Sequence, residues 1–178
     1  MSIEQLKYPI GKAQLPDEID AGLVNQWIHV LEGFPEKLAD LVQNLDENQL
    51  DTPYRDGGWT IRQVLHHLVD SHMNSYIRFK WALTEEEPVI KAYYEDRWAA
   101  LEDSKRAPAE QALQSLKALH LKWTWLLRSL DEKQLNRCFI HPDGNQRVSL
   151  KKNIGIYAWH SRHHYAHIEN LMKQNGWT

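Results

Sequence analysis

A single cysteine, Cys138, in 178 residues removes two possibilities at once. No intramolecular disulfide can form, and no zinc site can be built on thiolates. A lysine- or arginine-rich tract is also missing: 21 basic against 24 acidic side chains leave a formal net charge of −3. Without a concentrated basic face, nucleic acid is excluded as a partner. No apolar run approaches bilayer length and no N-terminal segment resembles a signal peptide, so the chain reads as cytoplasmic with no membrane partner. What remains is a composition 42% hydrophobic, enough for one packed domain at this length. Eight tryptophans and seven tyrosines have the simplest role of filling wide spaces between helices.

Apolar periodicity divides the chain. Residues 1–17 show no helical spacing and read as an extended arm, leaving 18–178 as one domain. Helical spacing covers Glu18 to Leu45, with Gly33 and Pro35 expected to interrupt it because proline removes a backbone donor. Thr60 is placed to cap a second helix reaching about Leu83. A short helix is expected over Glu95–Leu101, a third long one from Pro108 to Leu130, and a fourth over 150–174. Between the last two, Cys138–Ile140, a Pro142–Asn145 turn and Arg147–Ser149 read as a small hairpin. Leu45-Asp-Glu-Asn-Gln-Leu50 recurs as Leu130-Asp-Glu-Lys-Gln-Leu135, a weak hint of duplication. Four amphipathic helices of this length predict an all-α, antiparallel four-helix bundle.

Seven of the ten histidines sit in two windows, 66–72 and 160–167. Residues four apart on a helix share a face, so a His-x3-His pair can hold one metal ion and a third imidazole from another helix can complete a site. On the fourth helix the apolar face passes through Ile154, Tyr157, Ala158, Ile168 and Leu171. His164 lies on it and His160 on its rim, whereas His163 points to the opposite side and His167 lies further out. The inward pair is therefore His160 and His164. The earlier window is less decisive: periodicity buries His72 and leaves His66 and His67 on either flank. His67, Ser71, Asn74 and Arg78 form a polar stripe that could line a cavity, although the pattern alone favours a solvated face. His29, His120 and His141 are isolated and read as structural or exposed, and Glu85–Glu87 as a solvated helix end.

The stretch Gly58-Trp59-Thr60-Ile61-Arg62-Gln63-Val64-Leu65-His66-His67, with the distant Trp159-His160-Ser-Arg-His-His164, resembles the DinB/YfiT-like superfamily of metalloenzymes. Tyr8-Pro9-Ile10-Gly11 and His72–Lys80 are similar to its YfiT branch, named as metal-dependent hydrolases. The resemblance implies a four-helix bundle with one divalent ion per chain near one end, zinc first and nickel second. It places the ligands at His67, eight positions after the tryptophan, and at His160 and His164. It also implies a homodimer.

Three neutral imidazoles leave the charge of a divalent ion uncompensated and a coordination position open, the arrangement of catalytic rather than structural zinc. Such a site lowers the pKa of water to about 7 and equally favours a thiolate. The expected function is a metal-dependent hydrolase acting on a small molecule. The alternatives are a thiol S-transferase of the bacillithiol type, which the wider superfamily includes, and a non-catalytic metal-binding bundle. No general base stands out; Asp70, Ser71 and Asn74 lie near His67. With Arg78 and Arg162 the only basic side chains beside the middle turns of the histidine helices, anion recognition is expected to be sparse.

Overall fold

Side-chain caps set where the helices begin. In the computed structural model, which describes residues 2–177, the order is α1 (Ile3–Lys7), α2 (Ala21–Val42), α3 (Glu47–Leu50), α4 (Ile61–Thr84), α5 (Glu95–Ala99), α6 (Glu102–Arg106), α7 (Ala109–Arg128), α8 (Glu132–Leu135), β1 (Cys138–His141), β2 (Gln146–Ser149) and α9 (Leu150–Asn175). Thr60 starts α4 with a reciprocal capping box: its hydroxyl accepts from the Gln63 N–H while the Gln63 side chain accepts from the Thr60 N–H. Ser149 starts α9 in the same β-region conformation, and Gly176, at φ 65°, ends it in the left-handed form that spares glycine a Cβ clash. No helix among the described residues is long and apolar enough to cross a membrane.

The four long helices form a bundle in which α2 and α4 sit diagonally, each packed on both α7 and α9. Two antiparallel pairs make it up. In α2/α7, Asn25 meets Arg128 and Leu31 meets His120. In α4/α9, Ser75 meets Asn153, Ser71 meets Tyr157 and His67 meets His160. The pairs stack so that α4 runs parallel to α7, which obliges residues 85–108 to travel back along the bundle. That return segment carries α5 and α6 over α4. It is pinned by Gln63, donating to the Ala99 carbonyl at 2.7 Å, and by Arg62, donating to the Ala107 carbonyl at 3.1 Å. Arg62 also pairs with Asp51 and Glu47 at 2.7 and 2.6 Å, so a buried guanidinium on α4 is satisfied from α3, its C-cap and the return segment together. Where α2 crosses α9, a Cβ on Gly155 would stand 2.8 Å from the Trp27 ring; only glycine permits that approach. The hairpin pairs Cys138 with Ser149 through to His141 with Gln146, as the sequence predicts.

Four expectations change. The arm is not wholly extended: Ser2 and Gln5 close a capping box that winds Ile3–Lys7 into one turn. Helix α6 is an addition that periodicity did not reveal. The repeated LDExQL is a repeated cap, Asp46 with Gln49 and Asp131 with Gln134, each opening a four-residue helix; local capping chemistry suffices to explain it. Finally, α2 runs unbroken through Gly33 and Pro35. The proline still leaves the Leu31 carbonyl without its usual intrahelical donor, and that vacancy is filled from another helix.

Candidate metal centre

His67 on α4 and His160 and His164 on α9 converge, one nitrogen from each lying within 4.8 Å of the others. His67 Nε2 stands 3.3 Å from His160 Nε2. Two nitrogens held at about 2.0–2.1 Å by one tetrahedral ion are separated by about 3.3 Å, so the spacing suits a divalent ion between them. The Gly57-Gly58 turn, with Gly57 at φ 62°, delivers Trp59 onto the cluster, its ring 4.6 Å from that of His67 and stacked over His164 at 6.3 Å. Burial drives the His67 pKa down to about 3, helped by the charge of His163. Burial likewise carries His160 and His164 well below the usual histidine range, with their imidazole neighbours adding to it. Neutral imidazole is the form that binds metal.

Hydrogen bonds behind the cluster decide which nitrogen each ring offers. The Leu31 carbonyl lies 2.7 Å from His120 Nδ1. A carbonyl only accepts, so His120 carries its proton on Nδ1 and, being neutral, accepts at Nε2. His72 Nδ1, 2.7 Å away, must then donate, which leaves His72 Nε2 to accept from His160 Nδ1 at 3.1 Å. His160 Nε2 is thereby left as a bare lone pair facing His67. A second, shorter chain fixes His164. His167 Nε2–H donates to the Lys7 carbonyl at 3.2 Å, and His167 Nδ1 accepts from His164 Nδ1 at 3.4 Å, freeing His164 Nε2. Both α9 histidines thus present the same nitrogen, through partners that end on backbone carbonyls. Aromatic rings keep the longer chain dry. Phe34 stacks on His72 at 6.1 Å, and Trp123 sets its edge against both His72 and His120 at 5.8 and 5.7 Å. His72 and His120 are 0% and 1% exposed, and burial holds the His120 pKa at about 4 despite its bond to Leu31.

The predicted trio is brought together, whereas several other expectations are corrected. His163 and His167 do not face outward: α1 and the residues after it cover that side of α9. Tyr8 lies 6.0 Å from the His163 ring and Tyr54 stacks on His167 at 4.1 Å. His120, set aside in the sequence as isolated, is part of the proton-ordered chain. Its position was readable, since Leu116, His120, Trp123 and Leu127 recur at helical spacing on the buried side of α7. His66 reaches the Ala107 carbonyl at 3.3 Å and has a structural role. Asp70 and Asn74 line neither cavity beside the histidines. The polar stripe is not solvated: Ser71 and Arg78 are buried and border a cavity.

Two cavities adjoin the trio. One, about 500 Å³, opens onto His67, His160 and His164 and is walled by Tyr8, Tyr54, Arg55, Trp59 and Glu95. The other, about 340 Å³, lies between α4, α9 and the hairpin and shares His160 and Glu95 with the first. Arg55 and Arg78 border them, while Arg162 is exposed, so basic side chains are nearer the histidines than the sequence suggested.

Comparison with known proteins agrees with this architecture. The chain is 50% identical, over the whole length of both, to the "Putative metal-dependent hydrolase YfiT" of Bacillus subtilis (strain 168). It is 52% identical over 171 residues, 96% of this chain and 98% of the other, to a relative of the same designation from Oceanobacillus iheyensis. The solved structure of Bacillus subtilis YfiT, described as a probable metal-dependent hydrolase with an unusual four-helix bundle topology, superposes with a TM-score of 0.95 over 98% of this chain and 99% of that one. A second four-helix bundle protein, TT2238, at 18% identity and a TM-score of 0.55, shares the fold. With the DinB superfamily model matching residues 30–168, the chain belongs to the DinB superfamily.

Proposed function

We propose that this protein is a metal-dependent hydrolase of small molecules, with one divalent ion, zinc first and nickel second, held by Nε2 of His67, His160 and His164. The observation that carries the reading is the convergence of three neutral imidazoles on the wall of an open cavity, two of their nitrogens 3.3 Å apart. An ion held there supplies a Lewis acid that brings the pKa of water to about 7. The chain's own residues do the rest. The two α9 histidines keep their lone pairs aimed at the site through the carbonyls of Leu31 and Lys7. Trp59 and Tyr54 shield one side from bulk water. Glu95, on the rim of both cavities, has its carboxyl raised above the usual range by burial first and by Asp96 second. Its carboxylate, facing the histidine cavity, is the proton acceptor of this reading. Three protein ligands leave a position for substrate, which argues against a purely structural ion.

A second reading, transfer of a thiol to an electrophile, is favoured by Arg55 and Arg78 on the cavity walls, since a thiol bearing carboxylates would find partners there. The deciding experiment offers the zinc-loaded protein a panel of activated esters and amides and, separately, bacillithiol with a bimane electrophile. Hydrolysis lost in His67→Ala, and lowered 100-fold or more in kcat by Glu95→Gln, is the expected outcome. Conjugation without any hydrolysis would replace the hydrolase by the transferase. The reading includes a homodimer, supported by Leu121 and Trp125 standing 67% and 82% exposed one turn apart on α7.

A further inference from the structure

Arg78 occupies an unusual position on α4. It is only 9% exposed, its Nε has no hydrogen-bond partner among the described residues, and it borders the 340 Å³ cavity whose other end is His160. The remaining buried arginine in the helix, Arg62, shows what the fold ordinarily provides, with two carboxylates and a carbonyl on its guanidinium. Desolvating a guanidinium without a partner is costly, so a buried arginine facing a cavity is organised for an anion from outside. The acidic neighbours do not fill that role. Asp143, in the same wall, lies 3.7 Å from His141, and Glu95, at the exposed rim, feels the charge of Arg78 but forms no ion pair with it among the described residues.

We propose that this cavity receives the carboxylate-bearing end of a small-molecule substrate, with Arg78 as its anchor and the reacting group at the three histidines. The proposal rests on the hydrolase reading for the reacting end alone. A carboxylate suits the site better than a phosphate, because one guanidinium balances one negative charge and Glu95 stands nearby to repel a second. Neutral polar groups complete the wall. Asn153 donates its amide to Ser75 Oγ at 2.8 Å and Tyr157 its hydroxyl to the Ser71 carbonyl at 3.1 Å, so both are fixed before a ligand arrives. The span is set by the helix. From Ser71, opposite Tyr157, to Arg78 is seven residues, about 10 Å of rise, shortened by the lean of a helical side chain toward the N-terminus. A short chain with a carboxylate at the far end, such as a glutarate ester, fits that reach.

The test titrates glutarate and acetate into zinc-loaded and metal-stripped protein by calorimetry. Glutarate is expected to bind at least tenfold more tightly than acetate. Arg78→Gln should erase that preference, Arg78→Lys retain part of it, and Arg162→Gln behave as the parent. Because the metal-stripped protein reports Arg78-dependent binding without turnover, the anchor is upheld even if no ester is ever hydrolysed. Conversely, hydrolysis of neutral esters with no glutarate preference leaves the hydrolase standing and removes the anchor. Glutarate binding no tighter than acetate in both forms of the parent would overturn the proposal. So would a preference unaffected by Arg78→Gln in protein that melts as the parent does.

Discussion

Replacing His120 by leucine tests whether a residue that touches no substrate sets the competence of the metal site. In the parent, His72 Nδ1–H donates to His120 at 2.7 Å, and this forces His160 to keep its proton on Nδ1 and its lone pair on Nε2. Leucine accepts nothing. For His160 to remain in the ligand form, His72 must then bury an unpaired N–H at a site 0% exposed, at about 1–3 kcal/mol. The alternative moves every proton along by one nitrogen and protonates His160 Nε2, which blocks it. Either way zinc affinity falls, and at 1.4 kcal/mol per decade the loss is about 5- to 150-fold, the range typical of partners behind metal-bound histidine. His120→Gln supplies the control: its amide N–H can donate to Leu31 and its amide oxygen accept from His72, so affinity should return. The assay is competition against a chromophoric chelator, with nitrogen-15 spectra of the metal-free protein reporting the His160 tautomer. Zinc affinity in His120→Leu within twofold of the parent, with His160 still protonated on Nδ1, would refute the reasoning.

The purified protein should carry about one divalent ion per chain. His67→Ala, His160→Ala and His164→Ala should each lose it, His163→Ala should keep it, and His167→Ala should weaken it through His164, all read by elemental analysis. Chelation should lower the melting temperature, since an ion that binds only the folded state stabilises it. Histidines held near pKa 3 and 4 in the fold (His67, His120, His163, His167) take up protons near 6.5 when unfolded. Metal-free stability should therefore be fully present above about pH 6.5 and lost as pH falls toward 4, and urea midpoints unchanged between pH 7 and 5 would contradict this. Gly155→Ala gains roughly 1 kcal/mol of helix propensity but drives a methyl to 2.8 Å from the Trp27 ring. Overpacking of about 1–3 kcal/mol should win, and a raised melting temperature would show that the α2/α9 crossing can yield.

Periodicity located the long helices and the inward pair on α9 because burial and helical spacing act together there. It failed on His163 and His167 because the covering surface comes from the N-terminal turn and from Tyr54, both remote in sequence. It failed on the His67–Arg78 stripe for the same reason: polar residues read as solvated until the hairpin, with Phe139 and Val148, is seen to close over them. His67 itself came from resemblance, and geometry alone left His66 open. His120 was a different kind of miss. Its face was legible, but nothing in α7 announces a partner on α2, because that partner is a backbone carbonyl and leaves no side-chain signature.

Pro35 gives that carbonyl a wider meaning. In an uninterrupted helix the Leu31 oxygen would accept from the N–H four residues on, and His120 would have to compete for it. Proline has no such N–H, so a helix defect on α2 orients a proton on α7, then one on α4, and finally a lone pair on α9. Anyone stabilising this bundle would change Pro35 early, because Pro35→Ala restores a hydrogen bond and removes a residue that costs about 3 kcal/mol in a helix interior. The restored N–H would then share the oxygen with His120 and weaken its hold on the Nδ1 proton. Thermostability and metal affinity should move in opposite directions at this position, which makes it the place where the fold gives up local order for a site three hydrogen bonds away.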